Sequence, residues 1–75
     1  MDREDYGKMW MYLHEEWLKA KEIKLSVEPN TEEYGFYLGK EHTTDQLMKE
    51  LIMQEAVEID GMTREEAEEM IRKNH

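Results

Sequence analysis

Tyr6, Met9, Trp10, Leu13, Trp17 and Ala20 recur at spacings of three and four. That is the period of one face of an α-helix, and it predicts an amphipathic helix over residues 3–22. Met11 and Leu18, seven apart, form a second stripe beside the first. The apolar surface is therefore wider than a single contact face needs. Gly7 is a weak point near the start, since glycine in a helix costs up to about 1 kcal/mol relative to alanine.

Such a helix needs something to pack against, and the chain has little to spare. It has 75 residues, which is one domain, residues 1–75, and no cysteine. No disulfide and no thiolate metal site can stabilise it. A core of this size supplies roughly 3–5 kcal/mol. The fold must rest on packed apolar faces or on a second copy of the chain.

After residue 22 the period changes. Ile23, Lys24, Leu25, Ser26, Val27 and Glu28 alternate apolar and polar, which is strand spacing. Pro29 to Glu33 is turn chemistry. Tyr34, Phe36 and Leu38 then fall on one face of a second strand, closed by Gly39. Together these predict a β-hairpin. Residues 44–59 predict a helix, with Thr43 and Gln46 at capping-box spacing and Asp60-Gly61 as its stop. A third helix is expected over about 64–74, capped by Thr63 and Glu66, with Met62 placed to staple onto Ala67. The expected architecture is α+β, in the order α-β-β-α-α: a long N-terminal helix, one β-hairpin and two C-terminal helices.

No catalytic constellation stands out. The four glycines are scattered and form no phosphate loop. Ser26 has no nucleophile elbow around it. His14-Glu15-Glu16 begins like a zinc-protease helix, but the second histidine position is Leu18. The segment from Glu58 to Gly61 fails as a calcium loop, because Ala67 stands where the closing Glu belongs. Paired carboxylates are frequent, yet acid–base chemistry needs a cleft that separates two pKa values. The expectation is a binding protein and not an enzyme, with no cofactor and no dedicated metal site.

Nineteen acids against ten bases give a formal charge of −9. That sign disfavours nucleic acid and anionic membranes and favours a basic protein partner. No apolar run approaches the ~20 residues that span a bilayer, and a cytoplasmic setting fits the absence of cysteine. The excess lies downstream. Residues 1–24 carry six acids and five bases, whereas 43–75 carry nine and four. The densest stretch holds Glu55, Glu58, Asp60, Glu65, Glu66, Glu68 and Glu69 against Arg64 alone. Acids three and four apart on a helix sit about 5–6 Å from one another, near the spacing of successive phosphates. One reading is a phosphate-mimicking row; the plainer one is a solvated helix face. Crowded carboxylates would also have raised pKa values, so melting is expected to be higher near pH 5 than pH 8.

All seven aromatics precede residue 38. Trp10 and Trp17 lie on the main helical stripe and read as core. Tyr12 and Tyr37 point away from it and read as interface candidates, in company with several methionines. In size, charge and architecture the chain is similar to the small acidic proteins that bacteriophages and mobile elements direct against host factors. That resemblance implies a DNA-mimicking inhibitor seated on the nucleic-acid site of a host protein. The alternative is a helical adaptor or antitoxin-like subunit that binds through aromatic and Met contacts. A third reading is a structural homo-oligomer in which hairpins pair edge to edge, and a homodimer is compatible with all three.

Overall fold

A computed structural model describes residues 1–73. Three helices follow one another: α1 (Arg3–Ser26), α2 (Glu32–Glu58) and α3 (Arg64–Lys73). α1 and α2 form an antiparallel hairpin, and α3 packs on α2 but not on α1 among the described residues. The result is a rod of 45 × 23 × 16 Å.

The expected β-hairpin is not there. Residues 23–26 complete α1, and residues 32–38 are the first turns of α2. The all-α outcome has a local cause. The expected turn around Pro29 is a helix–helix connection: Asn30 takes a φ of 70°, and Thr31 caps α2 by accepting from the Tyr34 N–H at 3.1 Å. Glu32 and Glu33 then sit in the first helical turn, where the helix dipole favours acids. The alternation at residues 23–27 comes from a helix that is apolar on more than one side. Ile23 and Leu25 fall on opposite flanks of α1, and Leu25 is 72% exposed.

The hairpin has a continuous seam. Tyr6, Trp10, Leu13, Trp17, Ala20, Lys24 and Val27 alternate spacings of four and three along α1, and all are buried or half-buried. Tyr34, Tyr37, Glu41, Thr44, Met48, Leu51 and Glu55 do the same along α2. This is the spacing of a coiled-coil contact. Two polar contacts pin its register at either end. The Tyr6 hydroxyl donates to Glu58, and Lys24 Nζ lies 2.6 Å from Glu41 Oε2 with both side chains largely covered. Thr43 and Gln46 lie in mid-helix and cap nothing; Thr44 is buried instead, its hydroxyl bonding the Lys40 and Glu41 carbonyls.

The ends of α2 and α3 follow the sequence more closely. Gly61 has a φ of 69°, and the Met62 N–H reaches back to the Ala56 carbonyl at 3.1 Å. The capping box of α3 is formed in both directions: Glu66 N–H to Thr63 Oγ1 at 3.1 Å, and Thr63 N–H to Glu66 Oε1 at 3.2 Å. Ala67 on α3 and Ala56 on α2 are both buried, which lets the two backbones approach closely. Residue 74, expected as the last of the third helix, lies outside the described residues.

Candidate binding surfaces on two flanks of the hairpin

Because the seam uses only a narrow stripe of each helix, apolar side chains on either side of it are left at the surface. They gather on two flanks. On the first, Met9, Tyr12 and Leu47 surround a groove of about 490 Å³ whose floor is Leu13 and Leu51. Lys8 from α1 and Glu50 and Gln54 from α2 complete its lining. Tyr12 is 64% exposed, and Met9 and Leu47 are each nearly half exposed.

The opposite flank is aromatic. Trp10 stacks on His14 with ring centroids 4.8 Å apart and 10° between planes. His14 stacks in turn on Trp17 at 5.8 Å and 19°. Lys21 Nζ caps the row, 4.9 Å from the Trp17 ring centroid. Positions 10, 14, 17 and 21 follow the helical period, so the row runs along α1. Met11, 62% exposed, lies beside it, and Ile52, Asp45 and Lys49 face it from α2. Trp10 and Trp17 are thus half core and half surface, since each serves both the seam and this flank.

The downstream acids do not stand as an open row. Arg3 lies 3.3 Å from Glu55 and 2.5 Å from Asp60. The Met1 amino group is 2.7 Å from Glu58, which also accepts from Tyr6. Glu68 pairs with Arg64 at 3.4 Å and Glu69 with Lys73 at 3.6 Å. Glu66 is engaged in the α3 cap, and Glu65 enters no ion pair among the described residues. The sequence counts acids against Arg64 alone, but the fold brings Arg3 and Met1 from the far end of the chain onto the same patch. Glu28, Glu32 and Glu33, around the α1–α2 connection, also enter no ion pair among the described residues.

The electrostatics match this pairing. Hydrogen bonds from the Met1 amino group and Tyr6 hold the Glu58 carboxyl below its usual range. That is opposite to the rise expected from crowded carboxylates. The bond to Glu58 pushes the Tyr6 hydroxyl up to about 12. Lys24 is raised by its hydrogen bond to Glu41, and Arg3 by its bond to Asp60.

The two candidate tyrosines are separated. Tyr12 lies at the mouth of the first groove. Tyr37 lies on the seam near the α1–α2 connection, half-buried, with Phe36 edge-to-face at 5.1 Å. Met9 and Met11, among the methionines that suit a contact surface, are exposed, whereas Leu47 and the Trp10–His14–Trp17 row carry no separate surface signal in the sequence. The helical spacing carries Trp10 and Trp17, but it assigns them to the core stripe and leaves out His14, which stacks between them.

Among the described residues, no group of three or more His, Asp or Glu side chains is placed to hold a metal ion. No helix there is long and apolar enough to cross a membrane. Comparison with protein-family models, curated proteins and solved structures finds no match.

Proposed function

We propose that this chain is a small helical binding module, an adaptor or antitoxin-like subunit, that docks a basic protein partner on the Trp10–His14–Trp17 flank. The stacked row with exposed Met11 beside it is the observation that carries the reading. Indole faces attract cations, and Lys21 over Trp17 is an intramolecular instance of the contact a partner's Arg or Lys would make. Methionine and Ile52 offer apolar area next to those rings, and Asp45, 3.1 Å from Lys49, adds a carboxylate to the lining. A chain of net charge −9 draws such a partner in from a distance. The contact itself is then held by aromatic and apolar burial. A nucleic-acid-binding protein is one partner of that chemistry.

The experiment is capture of a partner from host lysate on the immobilised chain, run in parallel with Met11→Asp and Leu18→Asp. Both residues are exposed, so the fold survives. The expected result is a partner that these substitutions release and that added salt only partly elutes.

A second reading keeps the acids as the interface. In it, the chain is a DNA-mimicking inhibitor, of phage or mobile-element type, that occupies the nucleic-acid site of a host protein. What favours it is the group Glu28, Glu32 and Glu33 at the connection end, without ion pairs among the described residues, together with Glu65. On this reading salt alone releases the partner, because the attraction is electrostatic and screened. Neutralising those glutamates would release it too, while Met11→Asp would not.

A further inference from the structure

The core of this hairpin is thin. Its buried apolar side chains are Tyr6, Ala20, Met48, Leu51, Ala56 and Ala67, and three of these six are alanines. The rod exposes 5679 Å² for a mass of 9.1 kDa. A compact monomer of that mass exposes about 4,900 Å². The excess, about 800 Å², is roughly one partner's share of a standard protein interface.

We propose that the Tyr12 flank closes against the same flank of a second copy, so that two hairpins form a four-helix bundle. This inference uses the flank opposite to the one assigned to a foreign partner and does not rest on that assignment. The groove is mainly apolar, with Met9, Tyr12 and Leu47 exposed around Leu13 and Leu51, and Gln54 as its one uncharged polar amide. Its two charged lining groups differ in sign: Lys8 comes from α1 and Glu50 from α2. A two-fold axis running along the hairpin lays α1 of one copy over α2 of the other. That arrangement sets Lys8 against Glu50 of the second copy, twice by symmetry, while the apolar side chains meet between them. Arg64, 3.2 Å from Glu50, holds that carboxylate in place.

Sedimentation equilibrium from about 10 µM to about 1 mM tests this, since association is set by concentration. The expected species is a dimer of about 18 kDa, twice the 9.1 kDa chain. Met9→Asp combined with Leu47→Asp should give a helical monomer. Met11→Asp, on the opposite flank, should remain dimeric. Lys8→Glu, a surface change that leaves the hairpin core untouched, should weaken association, and adding Glu50→Lys to it should restore the dimer. A wild-type monomer at the top concentration would overturn the proposal. So would a dimer that survives the Met9 and Leu47 substitutions, or one that dissociates with Met11→Asp.

Discussion

The Tyr6 hydroxyl donates a hydrogen bond to Glu58 across 52 residues of sequence, joining the first turn of α1 to the last turn of α2. Tyr6 is the largest side chain in the interior, 2% exposed, and Glu58 is held beside it at the surface. Lys24 and Glu41 make the matching contact at the other end of the hairpin. Between the two pairs, α1 and α2 advance by nearly the same number of residues, so both pairs enforce one antiparallel register. A slide of either helix by one turn would break both.

The first prediction concerns pH. Glu58 lies below its ordinary 4.5 in the folded chain, so its contribution is present above about pH 4.5 and is lost as pH falls through the folded value. Tyr6 lies above its ordinary 10.0, at about 12. Between those two values the unfolded chain ionises while the folded one resists, and stability declines over that window. The Met1 amino group is likewise raised above its ordinary 8.0 by its bond to Glu58, so its contribution begins to fade above that pH. Thermal melting followed by circular dichroism should therefore fall on the acid side below about pH 4.5 and decline on the alkaline side from about pH 8 onward. Glu58→Gln should flatten the acid limb, and Tyr6→Phe should reduce the alkaline one.

A second prediction concerns the covered ion pair. Lys24→Leu alone or Glu41→Leu alone leaves one charge on the seam without its partner, and each should lower the melting temperature. The double substitution should lie closer to wild type than either single one, because a partly buried pair costs desolvation that leucines do not. Melting of the four proteins at pH 7 gives the comparison directly.

A third prediction uses the glycines. Gly35 and Gly39 lie within α2, where an added Cβ meets no atom within 4 Å. Gly35→Ala and Gly39→Ala should each stabilise by roughly 0.5–1 kcal/mol, the helix preference of alanine over glycine. Gly61→Ala should destabilise, because the residue sits at a φ of 69° after α2. Chemical denaturation of the three variants reads both signs.

A fourth concerns α3, which is ten residues long and docks on α2 alone among the described residues. Its start depends on the reciprocal Thr63–Glu66 bonds. Thr63→Ala should cost about 1 kcal/mol, the usual worth of such a cap. The loss should appear as faster amide hydrogen exchange in α3, with α1 and the middle of α2 unchanged.

The helices beginning at residues 3 and 64 were legible from sequence, because apolar spacing and capping signals agreed there. The start of α2 was hidden for a physical reason. Its seam positions are Tyr34, Tyr37, Glu41 and Thr44, which carry polar atoms and break the apolar period. The connection signals, Asn30 at positive φ and Thr31 ahead of two acids, fit a helix start as well as a β-turn. The acidic excess was legible as a quantity but not as a surface. Glu55, Glu58 and Asp60 meet Arg3 and Met1 only after the hairpin closes. Tyr12 and Met9 are legible as contact-surface candidates, while Leu47 acquires meaning only when α1 lies beside α2.

In the proposed complex the partner is held by the aromatic and apolar flank and not by the acids. The most direct measurement is the salt concentration that elutes the captured partner from wild type, from Met11→Asp with Leu18→Asp, and from Glu28→Gln with Glu32→Gln and Glu33→Gln. Substantial retention is expected on wild type at about 1 M salt, where the screening length is only about 3 Å. Loss of the partner is expected on the Met11 and Leu18 variant, and near-normal retention on the glutamine variant. Complete release of the wild-type complex by moderate salt, with the glutamine variant failing to bind and the Met11 and Leu18 variant unaffected, would contradict this binding mode.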